Sequence, residues 1–337
     1  MRKFLIAVVL LLGVIFILGR LVEMQAILAT LQRGDWRFVL IALAVQGGWF
    51  LVVAATFQAI YRAIGIDEKL EILVLTAASA NFTNIVAPSA GVSGAAIFIA
   101  QARKHGYSTA RATVAGALFI LSDYVGFLFV LAVGLVVLIR RNNLTAVEIV
   151  ASSILVSIAL VLAILLYLGM KSELSLSAAL AWMSRLVNKL IHPLIKREYL
   201  SEKRAREFAH DAALGLQEIR KHPEGMLLPI LYALINKGLL ITVLWCVFLA
   251  FKVPVSAGTL IAGFSISYLF MIVSPTPAGI GVVEGFLTVA LSSMYVPLSD
   301  ATVITLAYRG ITFWIPLFIG LLAFRWTSRA DKITTVE

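Results

Sequence analysis

The sequence predicts an all-α polytopic membrane protein, with about six full spans and two broken or re-entrant helical hairpins in an inverted-topology repeat. Three observations support this fold class. Hydrophobic residues make up 61 % of the chain and charged residues 14 %, against about 45–50 % and about 25 % in soluble domains. Apolar runs of nearly membrane-spanning length recur along the chain. Prolines and glycines interrupt two of these apolar regions, 84–94 and 273–281, where a helix cannot continue unbroken.

The predicted full spans follow from the length of the apolar runs. Each run approaches the ~20 residues that cross about 30 Å of hydrocarbon. The first follows only Arg2 and Lys3, as in a signal peptide, but no small-residue cleavage site comes after it. We therefore interpret it as a retained span. The six spans are predicted at 4–19, 37–61, 111–139, 148–169, 226–251 and 301–324.

Two broken regions, 72–102 and 257–296, lie between these spans. Segments 72–87 and 91–102 are each too short to cross a membrane, which favours a re-entrant pair of half-helices. The corresponding segments of the second region, 257–274 and 279–296, are longer, so that region is either a re-entrant pair or two tilted spans. In both cases the chain returns to the side from which it entered.

The distribution of Lys and Arg predicts both termini in the cytoplasm. With the N-terminus inside, 20 of these residues fall on inner segments, ten of them in the long amphipathic loop 170–225, and only six fall outside. This asymmetry and contact with anionic lipid explain most of the net charge of +10. We therefore expect no nucleic-acid partner.

The same arrangement predicts two repeats of opposite orientation. The first covers 1–140 and the second 141–325, followed by a cytoplasmic tail, 326–337. The half-helices that begin near Gly91 and Gly279 would then have their N-termini near the midplane, where unpaired N–H groups suit a phosphate. The alternative is that Pro and Gly only let helices kink and pack closely.

Charged residues inside the spans are the second clue to a site, since even the lowest estimates put one at the bilayer centre at about 2.5–3.5 kcal/mol. Two interpretations stay open: structural ion pairs, or a site in which Arg309 meets a lipid phosphate while Glu284 or Asp123 holds an amine or positions Arg309. The candidate substrate-binding residues are Arg309, Glu284, Asp123, Lys237, Gly279, Gly281, Gly91, Ser93, Asn84 and Thr276.

Catalytic and metal-binding patterns are missing from the sequence. The four histidines are scattered without a ligand spacing, and the single cysteine, Cys246, cannot form a disulfide or a thiolate cluster within the chain. No P-loop, nucleophile elbow or dinucleotide fingerprint occurs. We therefore expect no enzymatic activity, no metal and no cofactor.

Two stretches of the second half resemble a known family. They are 275–285, Pro-Thr-Pro-Ala-Gly-Ile-Gly-Val-Val-Glu-Gly, and 307–317, Ala-Tyr-Arg-Gly-Ile-Thr-Phe-Trp-Ile-Pro-Leu. In order and spacing they are similar to the paired signature of the transmembrane flippase domain of the lysylphosphatidylglycerol synthase family. The resemblance covers essentially the whole chain. It implies movement of a charged phospholipid between leaflets, with Glu284 and Arg309 as site residues and Gly279 and Gly281 forming the break.

Two departures from the family pattern bear on the substrate. Many relatives carry a charged residue in the first broken motif, whereas 88–94 is uncharged here. The C-terminal aminoacyl transferase domain of the synthases is also expected to be absent, because the chain stops soon after Arg329. Whatever lipid this protein moves, we expect that it does not make it.

The sequence therefore predicts a stand-alone, flippase-like transporter in the cytoplasmic membrane of a bacterium or archaeon. Its substrate would be a membrane phospholipid or a polyprenyl lipid. Two alternatives stay open, a scaffold that presents lipid to a separate synthase or glycosyltransferase, and an intramembrane lipid-modifying enzyme. Assembly as a homo-oligomer is also left open.

Overall fold

The computed structural model describes residues 27–86, 92–191, 202–274 and 276–334. All regular secondary structure in these ranges is helical, which confirms the all-α class. The helices are α1 (Trp36–Ala63), α2 (Leu70–Val86), α3 (Val92–Lys104), α4 (Thr109–Arg140), α5 (Ala146–Lys171), α6 (Glu173–Ile191), α7 (Glu202–Lys221), α8 (Leu227–Ala250), α9 (Ala257–Val273), α10 (Val282–Ser293), α11 (Leu298–Arg309) and α12 (Ile315–Thr334).

Five helices within the described ranges are long and apolar enough to cross a membrane. Each corresponds to one of the predicted spans, so the chain is a multi-pass membrane protein. The fifth is continuous from α11 to α12 through a π-helical turn, Gly310–Trp314. The predicted span 4–19 lies outside the described residues. The five helices are Trp36–Ala63, Thr109–Arg140, Ala146–Lys171, Pro223–Ala250 and Leu298–Trp326.

Polar residues mark where several of these apolar helices begin. The Asp35 carboxylate accepts from the Arg37 N–H at 3.0 Å at the start of α1. Thr145 and Glu148 form a capping box at the start of α5. Ser256 accepts from the Thr259 N–H at 3.1 Å at the start of α9. Each cap satisfies a backbone donor that the helix leaves without an internal partner.

The two broken regions each form a pair of short helices, α2 with α3 and α9 with α10. The longest has 17 residues and α10 has only 12, so α10 is about 18 Å long at 1.5 Å per residue. The second segment of this region was predicted over 279–296 but is helical only over Val282–Ser293. Its start is delayed because Gly279 and Gly281 adopt positive φ, which a helix does not accommodate.

The first helix of each short pair packs against the last span of the other half of the chain. Helix α2 lies along α12, and α9 lies along α4, while α1 and α8 pack together at the centre. Glycines allow the first two of these close approaches: a Cβ on Gly320 would clash with the Ala78 carbonyl of α2, and one on Gly134 of α4 would clash with Ser265 of α9.

Helices α6 and α7 fill the long loop that was predicted to be amphipathic. The apolar face of α7 is buried, including Ala209, Ala212, Leu216 and Ile219. This face packs against α4, α5 and α6. An amphipathic helix of this kind can lie on the membrane or pack under the spans. Helix α7 packs against the spans.

Candidate functional site

A cavity of about 210 Å³ lies where the two broken regions meet. The first break contributes Asn84 and Gly94, and the second contributes Thr276 and Ala278. Helices α1, α4, α8 and α9 and the π-helical turn complete its walls with mostly apolar and aromatic side chains. The sequence predicted that the two interruptions converge at one place. In the fold, residues beside both interruptions line the same cavity.

Arg309 is the cation of this cavity. It is the last residue of α11, its side chain is only 4 % exposed, and it lines the cavity. Its Nε donates to Glu284 Oε1 at 2.6 Å and its Nη2 donates to the Ala278 carbonyl at 3.1 Å. Its guanidinium lies 4.6 Å from the ring centroid of Phe313, one turn along the π-helical segment. These contacts fix the planar group in one orientation.

Nη1 of Arg309 makes no hydrogen bond within the described part of the chain. An arginine has five N–H donors in a fixed fork that matches carboxylate and phosphate geometry. Two sides of this fork are engaged by the protein. The remaining donors are available to a ligand in the cavity.

The carbonyl that holds Arg309 belongs to a strained residue. Ala278 has φ 49° and ψ 29°, a left-handed conformation that costs a non-glycine residue roughly 1–2 kcal/mol. Strained residues of this kind persist where the surrounding structure requires them, often at functional sites. The strain turns the Ala278 carbonyl towards Arg309.

The second break is otherwise ordered by local hydrogen bonds. Thr276 Oγ1 donates to the Ile280 carbonyl at 3.0 Å, and the Gly279 N–H donates to the Thr276 carbonyl at 3.0 Å. A Cβ on Gly279 would lie 3.0 Å from the Cα of Met271 in α9. Residues 276–281 of the break therefore form a hydrogen-bonded turn that lies close to α9.

Side chains cap both short helices that follow the breaks. Asn84 Oδ1 accepts from the Gly94 N–H at 2.6 Å and from Ser93 Oγ at 3.0 Å. Glu284 Oε2 accepts from the Gly281 N–H at 2.7 Å. The expectation that the N–H groups at these breaks stay unpaired is therefore wrong for Gly94 and Gly281, since the protein provides its own acceptors.

A second buried ion pair adjoins the cavity. Lys237 is fully buried, and its Nζ donates to Asp123 Oδ1 at 2.5 Å and to Tyr268 Oη at 2.6 Å. Tyr268 in turn donates to Asp123 Oδ2 at 2.9 Å. The three residues join α4, α8 and α9. Both carboxylate oxygens of Asp123 therefore accept hydrogen bonds within this cluster. Arg309, in contrast, keeps donors that the described residues do not use.

Two further donors belong to residues that line the cavity. Trp49 Nε1 and Asn81 Nδ2 are buried and have no hydrogen-bond partner in the described ranges. A buried donor without a partner costs about 1–3 kcal/mol. Trp49, Asn81 and Arg309 thus each bring a hydrogen-bond donor without a partner among the described residues to the surroundings of the cavity.

The predicted site residues fall into three groups by position. Asn84, Asp123, Thr276 and Arg309 line the cavity. Lys237, Glu284 and Ser93 each contact one of these four. Gly279 and Gly281 shape the second break. Gly91 lies outside the described residues.

The sequence analysis missed three contributors to the site. Tyr268 follows Ser265 and Ser267, and this group of hydroxyls in an otherwise apolar run could have singled it out. Trp49 follows Gln46 and two glycines, a polar interruption of an apolar run. The left-handed conformation of Ala278 leaves no signal in the sequence, because alanine rarely adopts it.

The fold and the site define a polytopic α-helical membrane protein with a polar cavity between broken helices. The family is shown by a match to the lysylphosphatidylglycerol synthase TM region over residues 4–320, so the chain belongs to this family. The resemblance found in the sequence motifs is thereby confirmed. No curated protein matches the chain.

Proposed function

We propose that the protein is a flippase-like transporter that moves a phosphate-containing lipid, a phospholipid or a polyprenyl lipid, between membrane leaflets. The observation that carries this proposal is the environment of Arg309. A buried arginine in a membrane-spanning helix is held by Glu284 and by the strained Ala278, and it keeps donors for a ligand. Membership of a family of lipid-synthase membrane regions supports a lipid as that ligand.

The substrate phosphate would bind Arg309 and the donors beside it. A phosphate offers several acceptor oxygens, and arginine binds it with two parallel hydrogen bonds. Trp49 and Asn81 would satisfy oxygens that Arg309 does not reach. Glu284 would act as a positioning residue, because one of its oxygens holds Arg309 and the other holds the backbone at Gly281.

Movement between leaflets would follow from an inverted repeat. In such transporters, two halves of opposite orientation rock around a site near the midplane. The reciprocal packing, α2 against α12 and α9 against α4, supports this arrangement. The headgroup would enter the cavity while the acyl or prenyl chains stay in lipid, and the cavity would open to each leaflet in turn.

We place the protein in the cytoplasmic membrane of a bacterium or archaeon, with both termini in the cytoplasm. The positive-inside asymmetry of the loops supports this orientation. A separate lipid synthase or glycosyltransferase would supply or use the lipid, and we expect no catalysis by this chain. No group of three or more His, Cys, Asp or Glu residues in the described ranges could hold a metal ion.

The proposal is tested with purified protein in liposomes that contain a labelled phospholipid. A carrier moves the label between leaflets, a scaffold leaves it in place, and a lipid-modifying enzyme changes its mass. Arg309→Gln should abolish movement, and Arg309→Lys should restore it only partly because the planar fork is lost. Arg37→Gln is the matched control, since Arg37 lies at the exposed start of α1 and lines no part of the cavity.

Movement that is equal in Arg309→Gln and Arg37→Gln would contradict the phosphate site. An unmoved label in the wild-type protein would contradict transport and favour the scaffold. A product of altered mass would favour the enzyme. Each class of protein therefore gives a different result in one preparation.

A further inference from the structure

A second, larger concavity of about 710 Å³ lies on the outside of the helix bundle. It runs between α1, α2 and α12, and we call it the lateral groove. Its walls are apolar and include Phe50, Leu75 and Leu322, and its one charged lining residue is Arg325, next to Trp326. Helices α1 and α2 also contribute to the cavity, so the groove and the cavity lie on different faces of the same two helices.

We propose that the lateral groove binds one acyl chain of a phospholipid whose phosphate pairs with Arg325. This site is separate from the cavity and does not depend on transport. Helix α1 and the continuous helix Leu298–Trp326, which contains the part of α12 that lines the groove, are both long and apolar enough to cross a membrane, so the medium around the groove is lipid. An apolar groove in such a medium is filled by hydrocarbon.

The end of the groove has the chemistry of a membrane interface. Arg325 is exposed and makes no hydrogen bond or ion pair with the described residues. Trp326 is 72 % exposed beside it. Tryptophan and arginine near the end of a membrane-spanning helix lie at headgroup level. The free guanidinium is complementary to a lipid phosphate at the depth where the phosphate lies.

A glycine leaves open space in the wall of the groove. Gly47 of α1 lines it, and a Cβ placed on Gly47 would meet no atom within 4 Å. The space beside Gly47 is therefore open rather than filled by packing. Gly48, the next residue, also has open space around it but lines neither the groove nor the cavity. The two glycines form a matched pair for an experiment.

The experiment is photolabelling in vesicles of phosphatidylethanolamine and phosphatidylglycerol. A trace of phosphatidylglycerol carries a diazirine in one acyl chain, and labelled peptides are located by mass spectrometry. Helix α5 provides the internal reference because it exposes apolar residues such as Val150 and Leu160 to lipid. In the wild-type protein, we expect residues 319–326 to be labelled more strongly than α5.

Three variants decide the proposal. Gly47→Leu should reduce labelling of 319–326 to the level of α5, because the leucine fills the groove, and Gly48→Leu should leave the labelling unchanged. Leu322→Trp fills the groove from α12 and should have the same effect as Gly47→Leu. Arg325→Gln should weaken labelling about fivefold, the effect of one basic residue near an anionic lipid surface.

Equal labelling of 319–326 and α5 in the wild-type protein, or of the Gly47→Leu and Gly48→Leu variants, would overturn the proposal. Unchanged labelling in Arg325→Gln would overturn the phosphate contact. The result is distinguishable from that of the transport assay. A protein that moves no lipid but labels selectively in the groove would refute transport and leave this site in place.

Discussion

At the scale of single residues, the two buried ion pairs differ in whether they keep hydrogen-bonding groups for a ligand. The carboxylate of Asp123 is fully engaged by Lys237 and Tyr268. Arg309 is held by Glu284 and Ala278 but keeps donors that the described residues do not use. We therefore expect the first pair to stabilise the helix bundle and the second to bind the substrate.

The first prediction tests the Arg309–Glu284 pair. Each single neutralisation, Arg309→Gln or Glu284→Gln, leaves an uncompensated buried charge and should cost about 3–5 kcal/mol of stability. The double variant should recover most of that stability, because both charges are removed together. It should remain inactive in lipid transport, since the phosphate has lost its ligand. Thermal unfolding and the liposome assay measure the two properties separately, and a stable double variant with full transport would refute the site.

The second prediction concerns Asp123 and Lys237. Lys237→Met alone leaves the Asp123 carboxylate without its cation and should destabilise the protein by about 3–5 kcal/mol. The double variant, Asp123→Asn with Lys237→Met, should regain stability and also keep transport, in contrast to the first pair. A double variant that is stable and inactive would show instead that this pair acts on the substrate. Tyr268→Phe removes only the hydroxyl that bridges Lys237 and Asp123. It leaves both charges in place and therefore serves as the control.

At the scale of elements, side chains cap the helix that follows each break. Proline and glycine in the sequence predicted where the helices stop. They did not predict the capping role of Glu284, which caps its own helix α10 through a contact three residues along the chain. They also did not predict that Asn84 would cap α3, because that contact depends on how close α2 and α3 lie. Side-chain partners across a turn are set by tertiary packing, which the sequence pattern does not specify.

The third prediction separates backbone strain from packing at the second break. Gly279 and Gly281 have φ of 71° and 79°, so alanine at either position should cost roughly 1–2 kcal/mol. At Gly279 the new methyl group would also clash with the Val283 side chain and lie 3.0 Å from the Cα of Met271, whereas at Gly281 it would meet nothing within 4 Å. We expect Gly279→Ala to cost about 1 kcal/mol more. Unfolding of the two variants compares them directly, and equal losses would mean that the turn does not pack tightly on α9.

A larger side chain at Gly279 should affect lipid transport as well as stability. Gly279→Leu should abolish lipid transport while leaving insertion into the membrane intact, because its side chain would displace the turn that holds Arg309. Gly238→Leu in α8 is the control, since that position, unlike Gly279, has open space around it. Equal transport by the two variants would favour simple kinks over a functional break.

At the scale of the whole molecule, hydropathy predicted far more of the fold than of the site. Five of the six predicted spans coincide with helices, because an apolar run of sufficient length has one stable form in a membrane. The division into repeats at 1–140 and 141–325 stays a prediction, supported by the reciprocal packing of α2 and α9. The contacts of Tyr268 and Trp49 arise where distant helices meet, so no local pattern predicted them.

The last prediction concerns the orientation of the two broken regions, on which alternating access depends. If they enter from opposite faces, the loop before α2 and the loop before α11 lie on opposite sides of the membrane. Cys246 is buried, so single reporter cysteines can be placed at exposed positions without a competing thiol. In intact cells, a membrane-impermeant thiol reagent should label Ser299→Cys. It should label Lys69→Cys and Gln217→Cys only after permeabilisation, as the positive-inside asymmetry requires. If Lys69→Cys and Ser299→Cys are labelled from the same side, the inverted repeat and the rocking mechanism are both refuted. If all three reporters show the reverse pattern, the repeat stands and only its orientation changes.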